Sequence, residues 1–198
     1  MSSAPLRLAI IIGSTREGRY ADVVANWFIA QAAKRDDVDI DVIDVAALDL
    51  PVHFTKAAVP ALQAYLERVD RAECYVVITP EYNHSYPASL KHAIDLAGAE
   101  WQRKPVAFVS YGGISGGLRA VEHLRQVFAE LRTVTIRDTV SFQGPWSLFD
   151  ADGRLADSGM AELATTTMLD DLVWWASALR TAKLADQATD ESVLESAS

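Results

Sequence analysis

Leu8-Ala9-Ile10-Ile11-Ile12-Gly13-Ser14-Thr15-Arg16-Glu17-Gly18-Arg19-Tyr20 carries the chain from a solid apolar run into glycines, hydroxyls and two arginines, and a helical pattern begins at once. A buried strand that delivers such residues to a helix N-terminus is built to hold an anion. The first backbone N–H groups of a helix lack intrahelical partners, and its dipole favours negative charge there. The anion expected at this turn is a phosphate.

Two well-known phosphate loops fail against this turn. Gly13 and Gly18 have the Gly-x-x-x-x-Gly spacing of a P-loop, but Arg19 and Tyr20 stand where that motif needs Lys and then a hydroxyl for magnesium. Arg is not a conservative replacement for that Lys. The dinucleotide fingerprint Gly-x-Gly-x-x-Gly fails at Thr15, where the main chain must approach a pyrophosphate closely. A nucleoside triphosphate and a tightly held dinucleotide are disfavoured, and a terminal phosphate remains.

Working outward, apolar runs alternate with helical patterns along the chain. The runs are Leu6 to Ile12, Ile40 to Val45, Cys74 to Thr79, Val106 to Tyr111 and Val134 to Phe142. Such alternation predicts strand–helix units on a parallel sheet. Strands buried on both faces read as continuously apolar, whereas edge strands alternate. Asp39-Ile40-Asp41-Val42-Ile43-Asp44 and the fifth run alternate, so strands two and five are expected at the edges. That texture fits an α/β, flavodoxin-like three-layer sandwich with strand order 2-1-3-4-5, whose ligands sit beyond the carboxyl ends of strands one and three. Val24, Phe28 and Ala32, with Trp27, form the core stripe of the first helix. Further helices are expected over Ala61 to Val69, Pro87 to Ala97, Leu118 to Leu131 and Ala161 to Leu184. Gln143 to Gly159 is a long connection of the kind that usually serves function or an interface. One domain over 1–185 and a disordered tail over 186–198 complete the expectation.

The formal net charge of −9 over 198 residues argues against nucleic acid or an anionic membrane as partner. No segment is apolar enough to span a bilayer, and the first residues lack the pattern of a signal peptide, so a cytoplasmic protein is expected. Cys74, the only cysteine, opens an apolar run and reads as a buried, inert thiol. The four histidines have no metal-ligand spacing, and no nucleophile elbow is present, so neither a metal site nor hydrolysis has a candidate.

In the expected topology three loops converge. The second, Thr79-Pro80-Glu81-Tyr82-Asn83-His84-Ser85-Tyr86-Pro87, offers aromatic and amide groups. The third, Ser110-Tyr111-Gly112-Gly113-Ile114-Ser115-Gly116-Gly117, offers bare backbone. Glycines let the main chain reach the edge of a flat heteroaromatic ring, Tyr82 and Tyr111 can cover its faces, and Asn83 both donates and accepts. With Ser14 and Arg16 holding phosphate at the other end, the three loops describe a site for a mononucleotide such as FMN.

Gly13-Ser14-Thr15-Arg16 with Gly18, then Thr79-Pro80-Glu81-Tyr82-Asn83 with Pro87, Leu90-Lys91 and Ala93-Ile94-Asp95, then Gly112-Gly113 with Gly116-Gly117, resemble the NADPH-dependent FMN reductase family. The resemblance covers about residues 6 to 142. It implies FMN held by Gly13, Ser14, Thr15, Arg16, Gly18, Arg19, Tyr20, Pro80, Glu81, Tyr82, Asn83, Ser110, Tyr111, Gly112 and Gly113. It further implies NADPH or NADH as donor, small-molecule acceptors (quinones, free flavin, azo compounds or metal oxyanions), and homodimers or tetramers. Many members have Ser where this chain has Arg19 and Asn where it has Ala21; Arg19 either adds its charge to the phosphate contacts or faces solvent. No side chain is assigned a catalytic role, because the redox chemistry belongs to the flavin. The alternative is a flavodoxin-type electron carrier without nicotinamide turnover. A phospho-accepting receiver ranks far below, since Thr79-Pro80 stands where it needs an Asp.

Overall fold

Five parallel strands run β1 (Leu6–Ile12), β2 (Val38–Asp44), β3 (Cys74–Pro80), β4 (Pro105–Gly112) and β5 (Val134–Gln143), and they lie in the order β2-β1-β3-β4-β5. The computed structural model describes residues 4–54 and 58–196, with side chains as far as Asp186. The expected order and both expected edges are present. Every residue of β3 and β4 is buried, whereas β2 and β5 mix buried, half-buried and exposed positions.

Because successive side chains of a strand face opposite ways, Leu8, Ile10 and Ile12 of β1 join one core layer while Ala9 and Ile11 join the other. The first layer takes Val24 and Phe28 of α1 (Ala21–Ala32) and Met168 and Leu172 of α5 (Gly159–Ser196). The second takes Tyr65 of α2 (Pro60–Arg71), Leu90 of α3 (Ala88–Leu96) and Leu124 of α4 (Leu118–Glu130). Helices on both faces of one sheet make the flavodoxin-like sandwich expected from the strand texture. The ends of α2 to α5 fall within two residues of the expected ones, except that α5 continues beyond Leu184. The expected tail, 186–198, overlaps the end of α5; residues 197 and 198 lie outside the described residues, as do the side chains from 187 onward.

Both open edges are blunted by arginine. Arg68 Nη2 donates to the Val42 carbonyl at 2.6 Å on β2, and Arg125 donates to the carbonyls of Ile136 and Arg137 at 2.5 and 2.9 Å on β5. The β5 carbonyls lie where β4–β5 pairing breaks register, from Val106↔Thr135 to Phe108↔Thr139. Irregular, charged edges of this kind resist pairing with another chain. Cys74 is fully buried, and burial pushes its thiol up to about 12, so it is unreactive near neutral pH. Among the described residues no helix is long and apolar enough to cross a membrane, and no cluster of His, Cys, Asp and Glu suits a metal ion.

Candidate functional site

Parallel pairing brings the carboxyl ends of β1, β3 and β4 to one edge of the sheet, and the three loops leave from there. The first runs from Gly13 to Tyr20, and α1 begins directly after it at Ala21, as the sequence pattern suggests. Gly13 donates its N–H to Ile78 O at 2.9 Å and packs on α3 so closely that a Cβ would lie 2.8 Å from Leu90 Cδ2. Gly18 has φ +62°, a region costly for other residues. No side chain caps the N-terminus of α1. Its first backbone donors remain available to an anion, the condition a phosphate site requires.

Ser14 is buried, and its Oγ lies 3.1 Å from the Tyr82 hydroxyl, which fastens the first loop to the second. Arg16 is exposed and its guanidinium has no ion-pair partner among the described residues. Arg19 behaves differently. It neither faces solvent nor stands free, because Asp44, at the end of β2, holds it through two hydrogen bonds of 2.7 and 2.6 Å. Those bonds raise the already high Arg19 pKa and hold the Asp44 carboxyl below its ordinary value.

In the second loop, Tyr82 and Ser85 exchange backbone hydrogen bonds of 2.8 and 3.0 Å around Asn83 and His84. The two central residues have φ +48° and +74°, as a type I′ turn demands. Asn tolerates this backbone well; His does so at a cost, and strain of this kind tends to gather at ligand sites. Glu81 turns away from this loop and reaches the third. Its carboxylate accepts hydrogen bonds from Ser115 Oγ, from Arg119 N at 3.3 Å and from Arg119 Nη1 at 3.1 Å. It thus serves as a cap on the first turn of α4, supplied from another element. Burial works against the charged form, yet Ser115 and Arg119 hold the Glu81 carboxyl below its ordinary range.

The third loop shows which of its residues serve the chain itself. Ser110 is fully buried and donates to Gly116 O at 2.9 Å, a carbonyl that also accepts from Ser141 Oγ at 2.9 Å. Ser110 therefore shapes the loop and presents no hydroxyl outside it. Tyr111 is only 5% exposed and belongs to the core, so its ring is not an open face. Gly116 and Gly117 have φ +61° and +89°, and a Cβ on Gly117 would lie 2.7 Å from Ser110 Cβ. Gly112 is nearly as confined, with Gly117 N at 3.2 Å and Glu81 Cβ at 3.3 Å from such an atom. Gly113 alone in this loop has an ordinary backbone and nothing within 4 Å of a Cβ. The fold does not require glycine there, whereas a flat ligand lying against the main chain does.

The last residue of β5 and the segment after it close the side of this edge. Gly144 N donates to Gly112 O at 2.7 Å, Gln143 Nε2 donates to Ile114 O at 3.0 Å, and the Tyr20 hydroxyl donates to Pro145 O at 3.2 Å. A separate cavity of about 530 Å³ between α1 and residues 151–158 shares no lining residue with the three loops.

The model of the NADPH-dependent FMN reductase family matches residues 6–146. The chain belongs to that family. Its chemistry is therefore FMN-dependent NAD(P)H oxidoreduction, and nothing supports the electron-carrier alternative. The family member is 34% identical over 173 residues to an NAD(P)H:quinone oxidoreductase of Solanum tuberosum, covering 79% of this chain and 87% of that one. It is 32% identical over 136 residues to a quinone reductase of Escherichia coli K12, covering 65% and 72%. Among solved structures, FerB of Paracoccus denitrificans, a flavoenzyme NAD(P)H:(acceptor) oxidoreductase, has a similar fold with a TM-score of 0.70 at 24% identity, covering 87% of this chain and 97% of that one.

Among the residues that a reading of motifs leaves out, Asp44, Ser115, Arg119 and Ser141 hold the loops in place. Asp44 had a signal in the sequence: in a sheet ordered 2-1-3-4-5 the end of β2 adjoins the opening turn, and Asp44 pairs with Ile12. Acid should expose these supports. Asp44 and Glu81 are depressed in the fold, so their stabilisation is complete above their ordinary values of 3.8 and 4.5 and is lost as pH falls through the depressed ones. Melting temperature should hold at pH 6–7 and fall below about pH 4, and Glu81→Gln should make that fall shallower. An unchanged acid limb in Glu81→Gln would show that this carboxylate contributes nothing.

Proposed function

We propose that this chain binds FMN across the three loops and passes electrons from a nicotinamide nucleotide to quinones, free flavin or other small oxidants such as azo compounds and metal oxyanions. The observation that carries the reading is Gly113, a glycine with open space beside it and no backbone reason to be glycine. FMN, when bound, accepts hydride and releases electrons singly or in pairs. The chain's own share is binding and orientation. The Gly13–Tyr20 backbone, the uncapped α1 terminus and Arg16 hold the phosphate, while Ser14 ties that loop to Tyr82. Gly112 and Gly113 back the ring edge, and Tyr82 and Asn83 border it. Glu81, Ser110 and Arg19 act on the shape of these loops. No side chain is required as an acid or base.

The purified, flavin-loaded protein should oxidise NADPH or NADH in the presence of menadione well above background. Absence of turnover with either donor would overturn the reductase reading. The assembly proposed is a homodimer or a pair of dimers, and the exposed Trp146 and Met160 offer apolar surface for it. Light scattering should give a mass above that of one chain.

A further inference from the structure

Arg19 occupies one of the two positions where the chain departs from the family pattern, and its surroundings do not suit a ligand cation. Its side chain is 12% exposed. Nη1 donates to Asp44 Oδ1 at 2.7 Å and to the Ser14 carbonyl at 2.6 Å, Nη2 donates to Asp44 Oδ2 at 2.6 Å, and Nε donates to Asp22 Oδ1 at 2.9 Å. Nη2 also lies 2.7 Å from that Asp22 oxygen. A guanidinium has five N–H groups; four of them donate to this chain, and the remaining one is on Nη2, beside the Asp22 carboxylate. Two carboxylates more than offset its charge. Breaking the two-point Asp44 contact to reach a phosphate would exchange one charge-assisted pair for another and leave a partly covered carboxylate without its partner.

We infer that Arg19 is a positioning residue that locks the first loop to β2 and α1, and that it leaves the phosphate's charge to Arg16. The lock joins three elements: the strand end at Asp44, the helix turn at Asp22 and the loop backbone at Ser14. Because a trans peptide sets its C=O and N–H on opposite sides, holding the Ser14 carbonyl on Arg19 turns the Thr15 N–H away from it. The inference rests on the FMN reading of this site.

The test uses Arg19→Gln, Asp44→Asn and the double variant, each measured without flavin by thermal melting and with FMN by fluorescence titration across a salt series. With Arg19 as a lock, each single variant lowers the melting temperature of the flavin-free protein and weakens FMN about tenfold, the loss of one charge-assisted hydrogen bond. The double variant is then no worse than Arg19→Gln, since losing Arg19 already removes the contact that Asp44→Asn breaks. The salt dependence of FMN affinity keeps its wild-type slope, because no charge facing the phosphate is lost. A flatter slope in Arg19→Gln, tighter FMN binding in Asp44→Asn or additive losses in the double variant would overturn the lock. If Arg19→Gln does not fold, Asp44→Asn alone decides, since a released phosphate ligand binds tighter and a broken lock binds weaker. Wild-type protein that binds no FMN overturns the FMN reading instead, and the lock is then judged on coupling in the flavin-free melts.

Discussion

Gly113→Val should weaken FMN binding by about 1–3 kcal/mol, roughly 5- to 150-fold, through a side chain forced into the space a ring edge needs. The flavin-free protein should melt within about 2 °C of wild type, because a surface change that meets nothing stays within about 0.5 kcal/mol. This separation of binding from stability is the expected signature of a glycine kept for a ligand. Its neighbour provides the contrast. Gly117 has φ +89°, and a Cβ there would meet Ser110 Cβ at 2.7 Å and Tyr111 N at 2.8 Å, so Gly117→Ala loses stability whether or not flavin is present. Isothermal titration or fluorescence quenching with FMN, beside a melt of each variant, reads both quantities. An unchanged dissociation constant in Gly113→Val would move the ring away from this loop.

Arg16→Ala should weaken FMN by about 1.5–3 kcal/mol, on the order of 10- to 150-fold, with little change in the stability of the flavin-free protein. Arg16 is exposed and unpaired among the described residues, so its removal disturbs no internal contact. The loss should shrink as salt is raised, since an exposed cation facing a phosphate is screened over about 10 Å at 0.1 M. Riboflavin, which lacks the phosphate, provides the internal control: its affinity should be the same for Arg16→Ala and wild type. Equal losses for FMN and riboflavin would mean that Arg16 supports the loop and does not hold charge.

The architecture was legible because burial writes itself into strand texture. Asp39 to Asp44 mixes carboxylates with apolar residues because β2 is an edge strand with partly open positions on both faces, while Tyr75 to Ile78 and Val106 to Val109 are solidly apolar because helices cover both faces. The meeting of the three loops followed from strand order. What sequence could not show is which way a side chain turns once the backbone is placed. Ser110 and Tyr111 lie in a loop-facing stretch by motif, yet both are built into the interior. Glu81 sits within the Thr79–Asn83 motif, yet it serves the next loop through Ser115 and Arg119. Arg19 presents the same difficulty, because its partner Asp44 is 25 residues away and only the β1–β2 pairing brings them together. The short 3-10 turns at Val45–Ala47, Ala99–Trp101 and Pro145–Ser147 carry too few residues for any periodicity to register.

The two cross-loop ties, Ser14 to Tyr82 and Glu81 to Ser115, bear on kinetics as well as shape. Walls already fastened to one another have little conformational freedom left to surrender when a ligand arrives, so the entropic penalty of capture is small. FMN should then associate in a single second-order step, its observed rate rising linearly with concentration and without a plateau. The chain would meet its cofactor as a preformed slot, and differences in affinity among its variants would appear chiefly in how fast the flavin leaves.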